Sequence, residues 1–297
     1  MSESRRAAAL AALPRLGVGL SFQSSLLPFL REEGGYDFVE VIPDTLWRPR
    51  GDDDDIGVPG EAAEMLGELS RRTPLVVHSI GLSIGTADAF DVSHVQRIGA
   101  WRRRFGFPWH SDHLSFNRFE EPSGHSLDSG LTIPVPYDES VLSMICERVE
   151  YVLREVPAPF LLENNVYYFE IPEQEMSEPE FLNELAARSG CGLLLDIHNV
   201  YVNAQNHGFD GWGFIEQIDL EKVVEVHIAG GLSVEGTYLD AHSGACPEQV
   251  WEWLAELVPR APQLRGVVFE ILDSYVPEVG FAAVRDELAR ARSLFPA

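Results

Sequence analysis

Short apolar runs alternate along the chain with longer amphipathic stretches. The runs are Leu16–Ser21, Phe38–Ile42, Leu75–His78, Phe107–His110, Phe160–Glu163, Leu193–Asp196, Val223–Ile228 and Gly266–Glu270. Their near-continuous Val, Leu, Ile and Phe content predicts strands buried on both faces. Between them, apolar spacing predicts helices over Gly60–Arg72, Val92–Phe105, Asp138–Glu155, Glu178–Ser189, Pro247–Val258 and Phe281–Leu294. Eight strands alternating with helices predict an α/β fold: one (β/α)8 TIM barrel spanning 1–297, with a short extension over about residues 1–14. Gly51–Asp55 reads as a loop, and no dinucleotide-binding GxGxxG or phosphate-binding loop motif follows any strand.

The chemistry lies where the strands stop. Val77 runs into His78, Trp109 into His110-Ser111-Asp112-His113, Leu162 into Glu163-Asn164, Leu195 into Asp196, Val226 into His227 and Phe269 into Glu270. A loop after the seventh strand adds Asp240-Ala241-His242. Ionisable residues at the C-terminal ends of barrel strands mark the face where such folds carry their sites. Any one of these residues alone reads as a loop cap. Together, several carboxylates converging on one mouth would repel one another unless a cation neutralised them. Imidazole with carboxylate, and no thiolate, suits iron, manganese or zinc. His78, His113, Glu163, Asp196, His227, Asp240, His242 and Glu270 exceed one ion's shell of about four to six donors, so at least two ions are expected. Glu163 or Asp196 would bridge them.

The remaining composition narrows the partners. With 22 Lys+Arg against 47 Asp+Glu the net charge is −25, which disfavours nucleic acid. The basic cluster Arg102-Arg103-Arg104 reads as a solvated helix face. Cys146, Cys191 and Cys246 lack CxxC spacing, arguing against a disulfide framework or a thiolate zinc site. The lack of both a long apolar run and a signal-like start predicts no membrane span and a cytoplasmic location. His94 reads as a surface helix residue, His125 and His207 as loop or turn residues, and Trp101, Trp109, Trp212, Trp251 and Trp253 as core. Gly81 and Gly85 read as a tight turn. Ser79 has no evident base, so no nucleophilic triad is expected. Tyr167, Tyr168, Tyr201 and Tyr238 follow the site motifs and could hold a peptide.

The segments Val77-His78-Ser79-Ile80-Gly81-Leu82-Ser83-Ile84-Gly85, Ser111-Asp112-His113-Leu114-Ser115, Leu161-Leu162-Glu163-Asn164, Leu194-Leu195-Asp196-Ile197-His198-Asn199-Val200-Tyr201-Val202, Val226-His227-Ile228-Ala229-Gly230 and Asp240-Ala241-His242 occur in order. Together they resemble the multinuclear non-heme iron-dependent oxidases. The resemblance, from about Gly17 to Glu270, implies a xylose-isomerase-like barrel holding two or three irons. It also implies an oxidoreductase that uses O2 to modify a ribosomally made precursor peptide at cysteine, aspartate or asparagine. A small separate protein often presents the peptide leader in such systems. Carried over by motif, the eight residues above would ligate iron. Glu163, Asp196 and Asp240 are the catalytic candidates. Asn199 occupies a position where some relatives place a histidine or another ligand, making the third metal position the weakest. His198 is expected to point away from Asp196, and Asp112 to orient His113. Asn164 and Asn206 are further candidates.

The expected layout is His78, His113 and Glu163 around one ion and Asp196, His227 and Glu270 around its neighbour. Asp240 and His242 would close a third position near Asn199. The alternative is a two-metal sugar isomerase or hydrolase on the same barrel. A sugar isomerase would want a lysine or an acid–base pair at the mouth, whereas Lys222, the only lysine, precedes the seventh strand at the opposite end.

Overall fold

The computed structural model describes residues 9–32, 34–48, 57–88, 90–120, 126–169 and 171–296. The expected Gly51–Asp55 loop and His125 lie outside them. Eight parallel strands close into a barrel: β1 (Gly17–Ser21), β2 (Phe38–Val41), β3 (Leu75–Ser79), β4 (His110–His113), β7 (Phe160–Glu163), β8 (Gly192–Asp196), β9 (Val223–Ala229) and β12 (Gly266–Glu270). Two hairpins, β5 (Ser115–Glu120) with β6 (Ser126–Pro134) and β10 (Leu232–Val234) with β11 (Thr237–Leu239), are inserted after β4 and β9. The (β/α)8 expectation holds, with strand boundaries within one residue of those expected except in the fourth strand. The fourth strand begins at His110 rather than Phe107, where Pro108 lacks the N–H that a ladder needs. The last helical run, Val276–Leu294, is broken at Gly280 (φ 77°), which leaves the expected helix from Phe281.

Period-two alternation divides every strand between two environments. Outward residues such as Val39, Val77, Phe160, Leu162, Leu195, Val226 and Phe269 pack beneath the helices in the main core. Inward residues at the lower end of the barrel, namely Phe38, Val76, Trp109, Leu161, Leu194, Val224 and Val268, form a second apolar plug with Leu10. Two residues further along the same inward rows stand Glu40, His78, Ser111, Glu163, Asp196 and Glu270, all buried. The barrel interior therefore turns from apolar to ionisable from one end to the other. β9 obeys this rule only through a bulge. Leu193 pairs with Val223 but Leu194 pairs with Glu225, which skips Val224. The extra residue shifts the parity, so Glu225 and His227 join the interior rows. On β1 the row is made of small residues, because a Cβ at Gly19 would lie 2.5 Å from the Phe38 ring.

Candidate metal centre

Seven ionisable side chains (His78, His113, Glu163, Asp196, Asp240, His242 and Glu270) line a cavity of about 110 Å³ at the strand C-termini, together with Asn199 and Leu272. Among the described residues no Lys or Arg lines it. His227 lies buried beneath, with Nδ1 3.1 Å from Glu270 Oε2 and 3.7 Å from Glu163 Oε1. Glu163 is central. Its Oε2 lies 3.3 Å from both His78 Nε2 and His113 Nε2, while Oε1 faces His227. Donors held about 2.1 Å from one ion stand about 3.0–3.4 Å apart, so these separations suit ligands facing a shared point. Buried Glu163 Oε2, His227 Nδ1, Asp240 Oδ1, His242 Nε2 and Asn199 Oδ1 have no hydrogen-bond partner despite their close neighbours. Lone pairs crowded together without hydrogen-bond alignment are what a cation would satisfy, and oxygen and nitrogen donors without sulfur fit iron or a similar divalent ion.

The expected first group, His78, His113 and Glu163, is assembled. The other imidazole nitrogens of the two histidines are engaged elsewhere: His78 Nδ1 with Ser111 Oγ at 2.9 Å, and His113 Nδ1 with Ser79 O at 3.4 Å. This leaves both Nε2 atoms facing Glu163. The second group is more interwoven than expected. Asp196 meets Glu163 and His227 in one set of donors and His242 and Glu270 in another. Asp196 also caps the helix Ile197–His207 through the Asn199 N–H at 2.8 Å. Burial raises its pKa to about 6. Burial, reinforced by Asp196, Glu270 and Glu40 against the pull of His227, holds the Glu163 carboxyl well above its usual range. Burial opposes ionisation of Glu270 and Asp240 too, but His227 and His242 hold the former below its usual range, and His242 and His198 the latter.

The loop group differs from expectation. Asp240 and His242 turn inward, and they are joined by His198. Asp240 Oδ1 lies 2.9 Å from His242 Nε2 and 3.0 Å from His198 Nδ1. His198 does leave Asp196, as expected, but helical geometry carries its buried ring to the inserted loop. Asn199 keeps an unpartnered Oδ1 at the cavity, while its Nδ2 donates to Asn164 O at 3.0 Å. His242 holds a left-handed backbone (φ 43°), unusual for a residue with a Cβ. The Leu272 N–H donating to His242 O at 3.0 Å, and Ser243 N–H to Gly230 O at 2.7 Å, keep it there.

Other expectations are corrected. Asp112 does not orient His113. Alternation turns it outward, where it accepts from Leu82 N at 3.3 Å and faces His94 Nε2 at 3.9 Å. His94 is accordingly a buried residue between Asp44 and Asp112, not a surface one. Asn164 and Asn206 act as clamps. Asn164 donates to Asp196 O and accepts from Asp196 N, each at 2.9 Å, and Asn206 makes the same pair of bonds, each at 2.8 Å, with the backbone of Tyr238. The Gly81 N–H donates to Asp44 Oδ1 at 3.1 Å, and a Cβ at Gly81 would collide with that oxygen. Of the tyrosines, Tyr168 Oη accepts from the Asp240 N–H at 3.0 Å, and Tyr201 packs on Tyr238. Tyr167 lines a separate cleft of about 630 Å³ with Tyr137, Phe169, Glu178 and Phe214. A tilted ring contact with Tyr167, centroids 4.7 Å apart, and Nε2 3.0 Å from the Tyr167 carbonyl give His207 a supporting role.

Two further buried carboxylates, Glu40 and Glu225, stand outside the expected set. Glu40 Oε2 lies 3.1 Å from His227 Nε2, and Glu225 accepts from Trp109 Nε1 at 2.8 Å. Burial raises Glu225 to about 8. Their signal lies in the sequence: each is a charged residue flanked on both sides by valine inside a strand.

Solved structures share the architecture. D-psicose 3-epimerase from Clostridium cellulolyticum superposes with a TM-score of 0.58 at 13% identity, over 94% of this chain and 99% of that one. Endonuclease IV from Thermus thermophilus does so with 0.54 at 16%, over 94% and 98%. At these identities they show the fold alone. Closer in sequence are UPF0276 proteins. That of Anaeromyxobacter sp. is 33% identical over 265 residues, covering 89% of this chain and 87% of its own. That of Acinetobacter baylyi is 30% identical over 279 residues, covering 93% and 90%. A family described as RiPP precursor modification enzyme MbnB/TglH/ChrH matches residues 17–295, from the first barrel strand through the last helix. The strand-end motifs, the barrel that gathers them and this match over nearly the whole chain agree: the protein belongs to the MbnB/TglH/ChrH family of enzymes that modify ribosomally made precursor peptides.

Proposed function

We propose that this chain is a multinuclear iron, O2-dependent oxidase acting on one residue of a precursor peptide. The observation that carries the reading is the convergence of carboxylates and imidazoles, with no Lys, Arg or thiolate among the described residues, on the small cavity around Glu163. His78, His113 and Glu163 would hold one iron. Glu163, Asp196, His227 and Glu270 would hold a second, and His198, Asp240 and His242 a third, with Asn199 beside it. Iron so held supplies one-electron redox chemistry with O2, which zinc lacks.

The chain's own residues do the rest. Glu163 presents one oxygen to each side of the pair. Asn164 clamps the backbone of Asp196, so that its carboxylate stays at the strand end. Asp240, 22% exposed against 7% or less for Glu163 and Glu270, is the carboxylate best placed to meet an incoming peptide. Tyr168 steadies it from the rim. A cavity of about 110 Å³ falls below the 300–1,000 Å³ typical of small-molecule sites. It suits a side-chain tip better than a whole sugar, which separates this reading from the isomerase or hydrolase alternative. Lys222 precedes β9, at the end of the barrel away from the cavity.

We place the reaction in the cytoplasm, where the precursor is made and where a small partner protein could present its leader. Among the described residues no helix is long and apolar enough to cross a membrane. The test is incubation of anaerobically purified, iron-loaded protein with the precursor and its partner, before and after O2, followed by peptide mass analysis. A mass change that requires both iron and O2 is expected. Turnover that persists under argon, or a zinc-only enzyme under iron-replete expression, would overturn the reading.

A further inference from the structure

His227 is held from both of its nitrogens, and only one of them faces the cavity group. The Nε2–Glu40 contact, at 3.1 Å, has hydrogen-bond geometry. Nδ1 lacks such a partner although oxygens of Glu270 and Glu163 lie 3.1 and 3.7 Å away. The lone-pair directions of an imidazole's two nitrogens diverge, so a group that binds Nε2 cannot share an ion centred on Nδ1. Glu40 lies inside β2, between Val39 and Val41, and is fully buried. Beneath it Glu225 is tied to Trp109. A carboxylate buried in a strand interior costs several kcal/mol unless something compensates it. Among the described residues His227 is its only hydrogen-bonded side-chain partner, and Glu40 Oε1 has none.

We propose that Glu40 is a positioning residue: it holds His227 Nε2 as the donor nitrogen, so that Nδ1 is the one presented to a metal ion shared with Glu163 and Glu270. Hydrogen bonds of this kind to the distal nitrogen of a ligating histidine set its tautomer and ring orientation, and losing one costs about 10–100-fold in metal affinity. The inference rests on reading the cavity as a metal centre, but it can fail on its own.

The experiment uses Co(II), added anaerobically to the metal-free full chain, for wild type, Glu40→Gln, Glu40→Leu and Glu40→Asp. Stoichiometry is read by metal analysis, affinity by chelator competition, geometry from the ligand-field spectrum and folding from the metal-free melt. Glutamine retains an acceptor oxygen for Nε2–H, so E40Q should keep the wild-type stoichiometry with an affinity within about threefold. E40L should weaken one ion by about 10–100-fold and alter its spectrum, while the ion at His78 and His113 stays. If E40L does not fold, E40D should show the same loss, because its shorter side chain cannot span the contact. In a His227→Ala background, E40L should cost nothing further, since Glu40 acts through that ring. E40L or E40D binding like wild type, E40Q losing as much as E40L, or a further loss in the His227→Ala background would overturn the assignment. A wild-type chain that takes up no cobalt would overturn the metal centre itself, and this inference with it.

Discussion

Replacing Glu163 by glutamine should make the metal-free protein more stable and the metal-loaded protein less so. In the metal-free state Glu163 is 2% exposed and crowded by Asp196, Glu270 and Glu40, which with burial keep its carboxyl protonated well above the ordinary value of 4.5. From pH 4.5 up to the native value, the folded chain retains a proton that the unfolded chain has released. Stability therefore falls as pH rises, by about 1.4 kcal/mol per pH unit. Glutamine carries no such proton. The advantage of E163Q should thus be near zero at about pH 4.5 and grow by about 1.4 kcal/mol, or about 2 °C of melting temperature for a chain of this size, per unit above it. Metal reverses the sign. Both oxygens face imidazoles that would share its ions, so loss of the charge should weaken binding by at least about 100-fold, about 2.7 kcal/mol. Melting curves with and without Fe(II) or Co(II), between pH 5 and 7, measure both effects. A stability difference flat across that range, or wild-type metal affinity in E163Q, would refute the reasoning.

His242→Ala should release the loop-held ion selectively, leaving the ions around Glu163, whereas His227→Ala should disturb the central pair; metal counts per chain distinguish them. Loops are less rigid than strand ends, so the loop ion should also be the first lost to a chelator. Asn164→Ala removes both hydrogen bonds that clamp the Asp196 backbone and should cost about 1–3 kcal/mol in denaturant melts, with metal affinity falling as well. Glu178, which burial raises to about 8 against the influence of Tyr137, is the same pH experiment in a cleft separate from the candidate metal centre. E178Q should be about 4 kcal/mol more stable than wild type at about pH 7.5 and no different at about pH 4, with Co(II) uptake unchanged.

The order of residues is enough to specify the barrel and most of its mouth. Apolar runs ending in His78, Glu163, Asp196, His227 and Glu270 are legible because strand direction and barrel closure send every strand C-terminus to one face. What stays open depends on where side chains turn. Glu40 and Glu225 look like exceptions inside apolar strands until closure brings β2 beside β1 and β3, and the β9 bulge changes parity. Asp112 and His113 are neighbours in sequence, yet period-two alternation sends one toward His94 and the other toward Glu163. His198 enters the site through the turn of a helix and the approach of a loop more than 40 residues away, a meeting that no local spacing encodes. Local pattern sets which residues can be strands and which are ionisable. Which ionisable groups share one cavity is decided by long-range closure, because the energy of a buried charge depends on neighbours that arrive from distant parts of the chain.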